Sequence, residues 1–150
     1  MSLGPLVSVI TATTGNPLLK NCVESVAKQS YKYVQHLVVA DGPDSHIRTT
    51  QILQPLKNSN LDVIYLPYSI GKDRWNGHRI YGAGTFISEG QFLIYLDDDN
   101  TLHPDHIKNC LEVINSGKQW SYSFRNIVDE NHNFICRDDC ESLGKWHTII

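Results

Sequence analysis

The sequence lacks any apolar run near the roughly 18 residues needed to cross a bilayer. Its start also lacks a charged stretch followed by a long hydrophobic one. These absences set aside a membrane-spanning chain and a secretory leader. Cysteine is scarce, and Cys22, Cys110, Cys136 and Cys140 are too few and too scattered for a disulfide framework, which suits a reducing compartment. Cys136 and Cys140 have no second Cys or His pair at zinc spacing, so they read as reduced thiols. An excess of either charge is missing too. Thirteen Lys and Arg face sixteen Asp and Glu, a balance of −3 that predicts neither a nucleic-acid partner nor a polybasic membrane patch. A cytoplasmic address follows, with a peripheral place at the inner face of a membrane left open.

Ready-made phosphate and calcium cradles are absent as well. No G-x-x-x-x-G-K-[ST] occurs, and "GAG" at 82–84 is a lone glycine pair of low specificity. An EF-hand beginning at Asp97 would need an acidic or amide residue at 101 and Gly at 102, where the chain has Thr101 and Leu102. Phosphate, if bound, falls to a metal and to side chains.

What is present is an alternation. A chain of 150 residues fits one domain and can bury roughly 68–70% of its unfolded surface. Short β-rich runs at 6–12, 34–41, 61–66 and 91–96 alternate with helical patterns at 16–30, 45–56, 75–90 and 103–117. Asn16 and Ser45 are the expected caps of the first two helices, and Pro17 the first helical residue of the first. Residues 120–142 read as a hairpin turning at "DENHN". The order βαβαβαβα predicts an α/β fold with a mainly parallel sheet flanked by helices, whose ligands gather at the carboxyl ends of the strands. No linker, repeat or low-complexity segment divides the chain.

Two acidic sites fall on that rim. Asp41 ends the second run, and the fourth runs from Phe92 to Leu96 directly into Asp97, Asp98, Asp99 and Asn100. Packed carboxylates repel one another, so they need a cation, donors or open water. Carboxylates one residue apart at a strand end project to one side, so Asp97 and Asp99 are candidates to share a divalent cation. Mg²⁺ or Mn²⁺ held by one or two carboxylates completes its shell with substrate phosphates, which points to a diphosphate ligand. The plainer alternative is that the three aspartates cap the next helix and solvate a loop. Lys72, Arg74 and Arg79 precede the fourth run, and Arg74 is the preferred phosphate partner because its planar fork matches the anion. His103 and His106 are spaced HxxH at a helix start and read as surface or capping residues.

The stretches "VSVITATTGN", "VVADGPDS" and "GAGTFISEGQFLIYLDDDN", in this order and spacing, resemble the nucleotide-sugar half of a family 2 glycosyltransferase with the GT-A, Rossmann-like fold. The resemblance covers about residues 6 to 116. It implies that Thr11, Ala12 and Thr13 line the nucleotide pocket and that Asp41 accepts a hydrogen bond from the base, as a carboxylate does from uracil N3–H. It further implies that Asp97 and Asp98 lie near the ribose and diphosphate, and that Asp99 is the main metal ligand. Five positions depart from the family pattern. Ala12 replaces a proline, Thr14 a tyrosine, Ala40 the first of two aspartates, and Tyr81 and Gly82 an Arg-Asn pair.

The activity implied is metal-assisted transfer of a sugar from a nucleotide-diphosphate donor, with a UDP-sugar favoured, to a saccharide, lipid or other hydroxyl acceptor, with inversion. No catalytic base is assigned, since Asp138, Asp139 and Glu141 come too soon after the acidic cluster; His147 is a candidate further metal ligand. The segment "KWHTII" resembles a strand beginning, so residues 1–150 are expected to form a single GT-A-like domain cut short before the acceptor half. A sugar nucleotidylyltransferase is the second reading, although its glycine-rich first loop is missing. A non-catalytic nucleotide-sugar-binding module is the third.

Overall fold

A computed structural model describes residues 4–56, 60–71, 77–129 and 133–138. Two compact units make up the chain, Met1–Lys108 and Asn109–Ile150.

The first unit is built on four parallel strands: β1 (Val7–Thr13), β2 (Val34–Ala40), β3 (Leu61–Tyr65) and β4 (Phe92–Tyr95), in the order β3-β2-β1-β4. β1 and β2 pair along their full length from Val7 opposite Val34 to Thr13 opposite Ala40. As central strands covered on both faces they are mostly apolar and almost wholly buried, with Ser8, Thr11, Thr13 and His36 as buried polar members. The crossovers are α1 (Leu19–Ala27), α2 (Pro43–Leu53) and α3 (His78–Ile87); α4 (His106–Asn115) follows β4. The predicted α/β architecture is present.

Side-chain alternation along β2 divides the core between the two faces of the sheet. Val38 packs with Leu19 and Val23 of α1 and Leu53 of α2, while Leu37 and Val39 pack with Ile80 of α3. Helix α1 buries Leu19, Cys22, Val23 and Val26, the spacing of one helical face. Each such side chain contributes about 1.5–3 kcal/mol on burial.

Several local expectations shift. Regular helix begins at Leu19 rather than at Pro17, yet Asn16 still caps the entry, its Oδ1 accepting the Leu18 amide at 3.0 Å. Helix α2 begins at Pro43, two residues before Ser45, because Gly42 takes the cap position at φ +84° and Pro43 occupies the first turn. Ser45 lies inside the helix and donates to the Gly42 carbonyl. The strand expected to be buried, β4, is only half-buried: among the described residues it pairs with β1 alone. His103 takes the capping role, its Nδ1 accepting the Asp105 amide.

In the second unit, β5 (Arg125–Val128) and β6 (Phe134–Asp138) form the expected antiparallel hairpin. Asp129 receives the amide and side-chain nitrogen of Asn133 across the turn, and Arg125 pairs with Asp138 at the open end. Among the described residues, Cys22, Cys110 and Cys136 form no disulfide. Among the described residues no helix is long and apolar enough to cross a membrane.

Candidate functional site

The carboxyl ends of the parallel strands surround a cavity of about 280 Å³. Ala12, Thr13 and Thr14 line it from the end of β1, Asp41 from the end of β2, Gly77, Ile80 and Tyr81 from α3, and Asp97, Asp98 and Asp99 from the turn after β4. Parallel strands leave their last residues on one rim, so two acidic sites 56 positions apart in the sequence share one wall.

The three neighbouring aspartates do three different things. Asp98 is braced from within: the Thr13 hydroxyl donates to its Oδ2 at 2.6 Å and Asn16 Nδ2 to its Oδ1 at 3.3 Å. Burial raises its pKa above the ordinary carboxylate value, the Thr13 bond opposes that rise and the Asp99 charge adds to it. Asp97 accepts the Tyr81 hydroxyl on Oδ1 at 2.5 Å. Asp99 is exposed. Strand alternation does not govern this triplet, because the chain has already left β4 and Asn100 closes a turn onto the Asp97 carbonyl at 3.1 Å. All three carboxylates therefore reach the cavity wall, where alternation would have sent the middle one elsewhere.

Asp41 is buried and receives three donors from the segment after β3: the Ile70 amide on Oδ1 at 2.7 Å, and the Ser69 hydroxyl at 2.8 Å and Gly71 amide at 3.0 Å on Oδ2. Gly42 makes this possible. A Cβ there would stand 2.7 Å from the Ser69 amide nitrogen, and its positive φ already favours glycine.

Tyr81 is held on two sides. Its ring meets Tyr95 edge-on at 5.3 Å, and Gly77 sits so close that a Cβ would lie 3.0 Å from the ring. Burial, and then the bond to Asp97, push the phenol pKa upward.

Thr11 lies apart from the cavity lining. It is fully buried and meets His36 Nε2 at 3.0 Å and the Cys22 thiol at 3.7 Å. Thr11 points into the core beneath α1, two residues short of the strand end where Thr13 on the same face reaches the rim, while Ala12 reaches the cavity from the opposite face. Burial lowers His36 to about 4 and pushes the Cys22 thiol up to about 12. Ala12, Thr13, Asp41, Asp97, Asp98 and Asp99 are brought together. Arg74, Lys72, Asp139, Glu141 and His147 lie outside the described residues.

The sequence reading missed Asn16 as a partner of Asp98, the Ser69–Gly71 segment as a partner of Asp41, and Tyr81 as a partner of Asp97. The one available signal was Tyr81 standing where the family has another residue type.

The donor set bears on a divalent cation. Among the described residues no group of three or more His, Cys, Asp or Glu is arranged to hold a metal. A closed protein cage is thus not formed there. Asp97 and Asp99 present hard oxygen donors, the kind that suit Mg²⁺ or Mn²⁺ when other ligands complete the shell.

The fold has known counterparts. Staphylococcus aureus TarS (residues 1–349) superposes with a TM-score of 0.64 at 23% identity, over 74% of this chain and 32% of that one. Its complex with UDP-GlcNAc gives 0.60 at 25%, over 74% and 31%. The mannosyltransferase PcManGT of Pyrobaculum calidifontis, in complex with GDP-Man and Mn²⁺, gives 0.57 at 18%, over 72% and 32%. In sequence, the chain is 23% identical to an uncharacterised glycosyltransferase of Methanocaldococcus jannaschii over 135 residues, 87% of this chain and 45% of that protein. It is 24% identical to a Campylobacter jejuni GalNAc(5)-diNAcBac-PP-undecaprenol beta-1,3-glucosyltransferase, over 89% of this chain and 42% of that protein. The chain spans less than half the length of these curated relatives. The sequence profile described as Glycosyl transferase family 2 matches residues 8–142, which contain every described wall of the cavity. With parallel sheet, acidic rim and profile in agreement over most of its length, the chain belongs to glycosyl transferase family 2.

Proposed function

We propose that the protein supplies the donor site of a glycosyltransferase that moves a sugar from a nucleoside diphosphate to an acceptor hydroxyl on a saccharide, lipid or other molecule, with inversion. The observation that carries this reading is the cavity of about 280 Å³ whose walls bring Asp41 and Asp97–Asp99 together at the carboxyl ends of parallel strands. That volume lies at the lower end of small-molecule pockets, and the position is where α/β sheets bind nucleotides.

Asp41 is the base partner in this reading. Its Oδ1 accepts one hydrogen bond within the protein and retains a lone pair for a donor such as uracil N3–H, which favours a UDP-sugar. A neighbour solved with UDP-GlcNAc supports a uridine donor, and one solved with GDP-Man and Mn²⁺ supports the use of a divalent cation. Asp97 and Asp99 hold Mn²⁺ or Mg²⁺. Bound there, the cation offsets negative charge on the departing diphosphate. Asp98 keeps the β4 turn against the β1 exit, so the flanking carboxylates stay in place. Arg74 is proposed as a further diphosphate partner. The acceptor's base is left unassigned.

A thermal-shift screen of UDP- and GDP-sugars with and without Mn²⁺ tests the reading. A ligand at 100 times its Kd adds about 2.7 kcal/mol of stability. A metal-dependent shift with UDP-sugars is expected, and it should vanish in Asp99→Ala while the ligand-free melting temperature stays unchanged. Equal shifts in wild type and Asp99→Ala would remove Asp99 from the metal, and no shift with any nucleotide sugar would overturn the donor site.

A further inference from the structure

Tyr81 stands at the centre of an arrangement that packing alone does not require. Its ring is already fixed by Tyr95 and Gly77. Tyr95 is anchored in turn, since its hydroxyl meets Thr85 Oγ1 at 2.8 Å while Thr85 donates to the Tyr81 carbonyl at 2.9 Å. The ring would stay where it is without its hydroxyl. That hydroxyl nevertheless donates to Asp97 Oδ1 at 2.5 Å, across the cavity wall from α3 to the β4 turn.

The bond has two chemical consequences. It engages one lone pair of Asp97 Oδ1 and fixes the rotamer, which orients Oδ2 for a ligand. It also supplies a neutral donor where the family resemblance places an arginine. A guanidinium would cancel the charge of Asp97 and attract a phosphate, whereas a phenol orders the carboxylate and leaves its full charge in place. The described cavity wall then presents Asp97, Asp98 and Asp99 together, and a diphosphate approaching three carboxylates is repelled by more charge than the one proposed partner, Arg74, offsets, unless a metal cation comes with it.

We propose that Tyr81 is a positioning residue that orients Asp97 as a metal ligand without bringing a cation of its own, and thereby ties nucleoside diphosphate entry to a divalent cation. The inference rests on the donor-site reading above and goes beyond it in naming the residue that sets the metal dependence.

Two variants test it, with Mn²⁺ binding followed by the electron paramagnetic resonance signal of the free ion and nucleotide binding by calorimetry, using whichever of UDP and GDP the wild type binds. Tyr81→Phe keeps the ring and removes the hydroxyl. Loss of a partner behind a metal ligand costs about 10–100-fold in metal affinity, so Mn²⁺ binding in the presence of the diphosphate should weaken by that factor. Binding of the diphosphate in EDTA should not change. Tyr81→Arg restores a donor to Asp97 and adds a positive charge, so it should bind the diphosphate in EDTA more tightly than wild type. A purely structural role predicts neither result.

Wild-type Mn²⁺ affinity in Tyr81→Phe overturns the role of Tyr81 and leaves the donor site standing. Should Tyr81→Phe also lower the melting temperature, Tyr81→Arg decides: no gain of metal-free binding overturns the proposal. Absence of any Mn²⁺-dependent diphosphate binding in the wild type overturns both readings together.

Discussion

Thr13 and Asp98 are 85 positions apart in the sequence and 2.6 Å apart in space, the Thr13 hydroxyl donating to the Asp98 carboxylate. The bond joins the ends of β1 and β4 on the cavity rim, and Asn16 reinforces it from the entry to α1. A hydrogen bond to a charged group contributes about 1.5–3 kcal/mol. Thr13→Val preserves shape and removes the donor. Urea unfolding should show a loss in that range, and nucleoside diphosphate binding should weaken with it. A loss under about 0.5 kcal/mol would mean that water replaces Thr13 without penalty.

His36 should weaken the fold in acid. It is fully buried, and its Nδ1 has no hydrogen-bond partner among the described residues. Burial lowers its pKa from 6.5 to about 4. As pH falls below 6.5 the unfolded chain takes up a proton that the folded protein refuses, so stability present above 6.5 drains away until pH about 4. The shift corresponds to about 3 kcal/mol. Urea titrations at pH 7, 6, 5 and 4 should trace this limb, and His36→Leu should flatten it. An identical slope in the variant would assign the acid limb to other groups.

Two glycines of α3 should respond in opposite directions to alanine. Nothing lies within 4 Å of a Cβ at Gly82, so Gly82→Ala should stabilise by about 0.5–1 kcal/mol through helix entropy. At Gly84 a Cβ would lie 2.7 Å from Ile10 Cγ2, at the buried seam between α3 and β1. Overpacking there should cost about 1–3 kcal/mol. Melting temperatures measured side by side check the pair; a stabilised Gly84→Ala would mean that α3 is free to shift off the sheet.

Asp41→Asn should loosen the segment after β3. The carboxylate serves the Ser69 hydroxyl and the Ile70 and Gly71 amides with acceptors only, and an amide in its place turns one acceptor into a donor. A lost partner of this kind costs about 1–3 kcal/mol. Hydrogen exchange at the Ile70 and Gly71 amides should accelerate, and uridine diphosphate binding should weaken while Mn²⁺ affinity holds. Unchanged exchange would show that the segment is held by other contacts.

The sheet was legible because its central strands are buried on both faces, which writes them as mostly apolar, β-branched runs such as Val7–Ile10 and Leu37–Ala40. The acidic rim was legible for the same reason, since parallel strands must all end on one side. Helix starts were less so, because Gly42 and Pro43 compete with Ser45 through backbone geometry that composition does not record. The division of roles among Asp97, Asp98 and Asp99 was hidden. It depends on a turn that cancels strand alternation and on partners from β1 and α3 whose register only the folded sheet sets. Thr11 lies outside the cavity lining because pairing with β2 continues to Thr13 and keeps Thr11 in the core.

The strand order has a kinetic meaning. β1 meets β2 with partners such as Ser8 and Gln35 only 27 positions apart, whereas its pairing with β4 brings together the ends of a segment like the 85 positions between Thr13 and Asp98. Closing the longer loop costs about 1 kcal/mol more in chain entropy, and β4 offers only four residues in return. The β1–β2–β3 layer should therefore assemble before β4 docks, with the cavity completed last. In the reverse direction β4 should be the first strand to release, so a partly unfolded molecule would retain most of its sheet while the acidic cavity wall is lost.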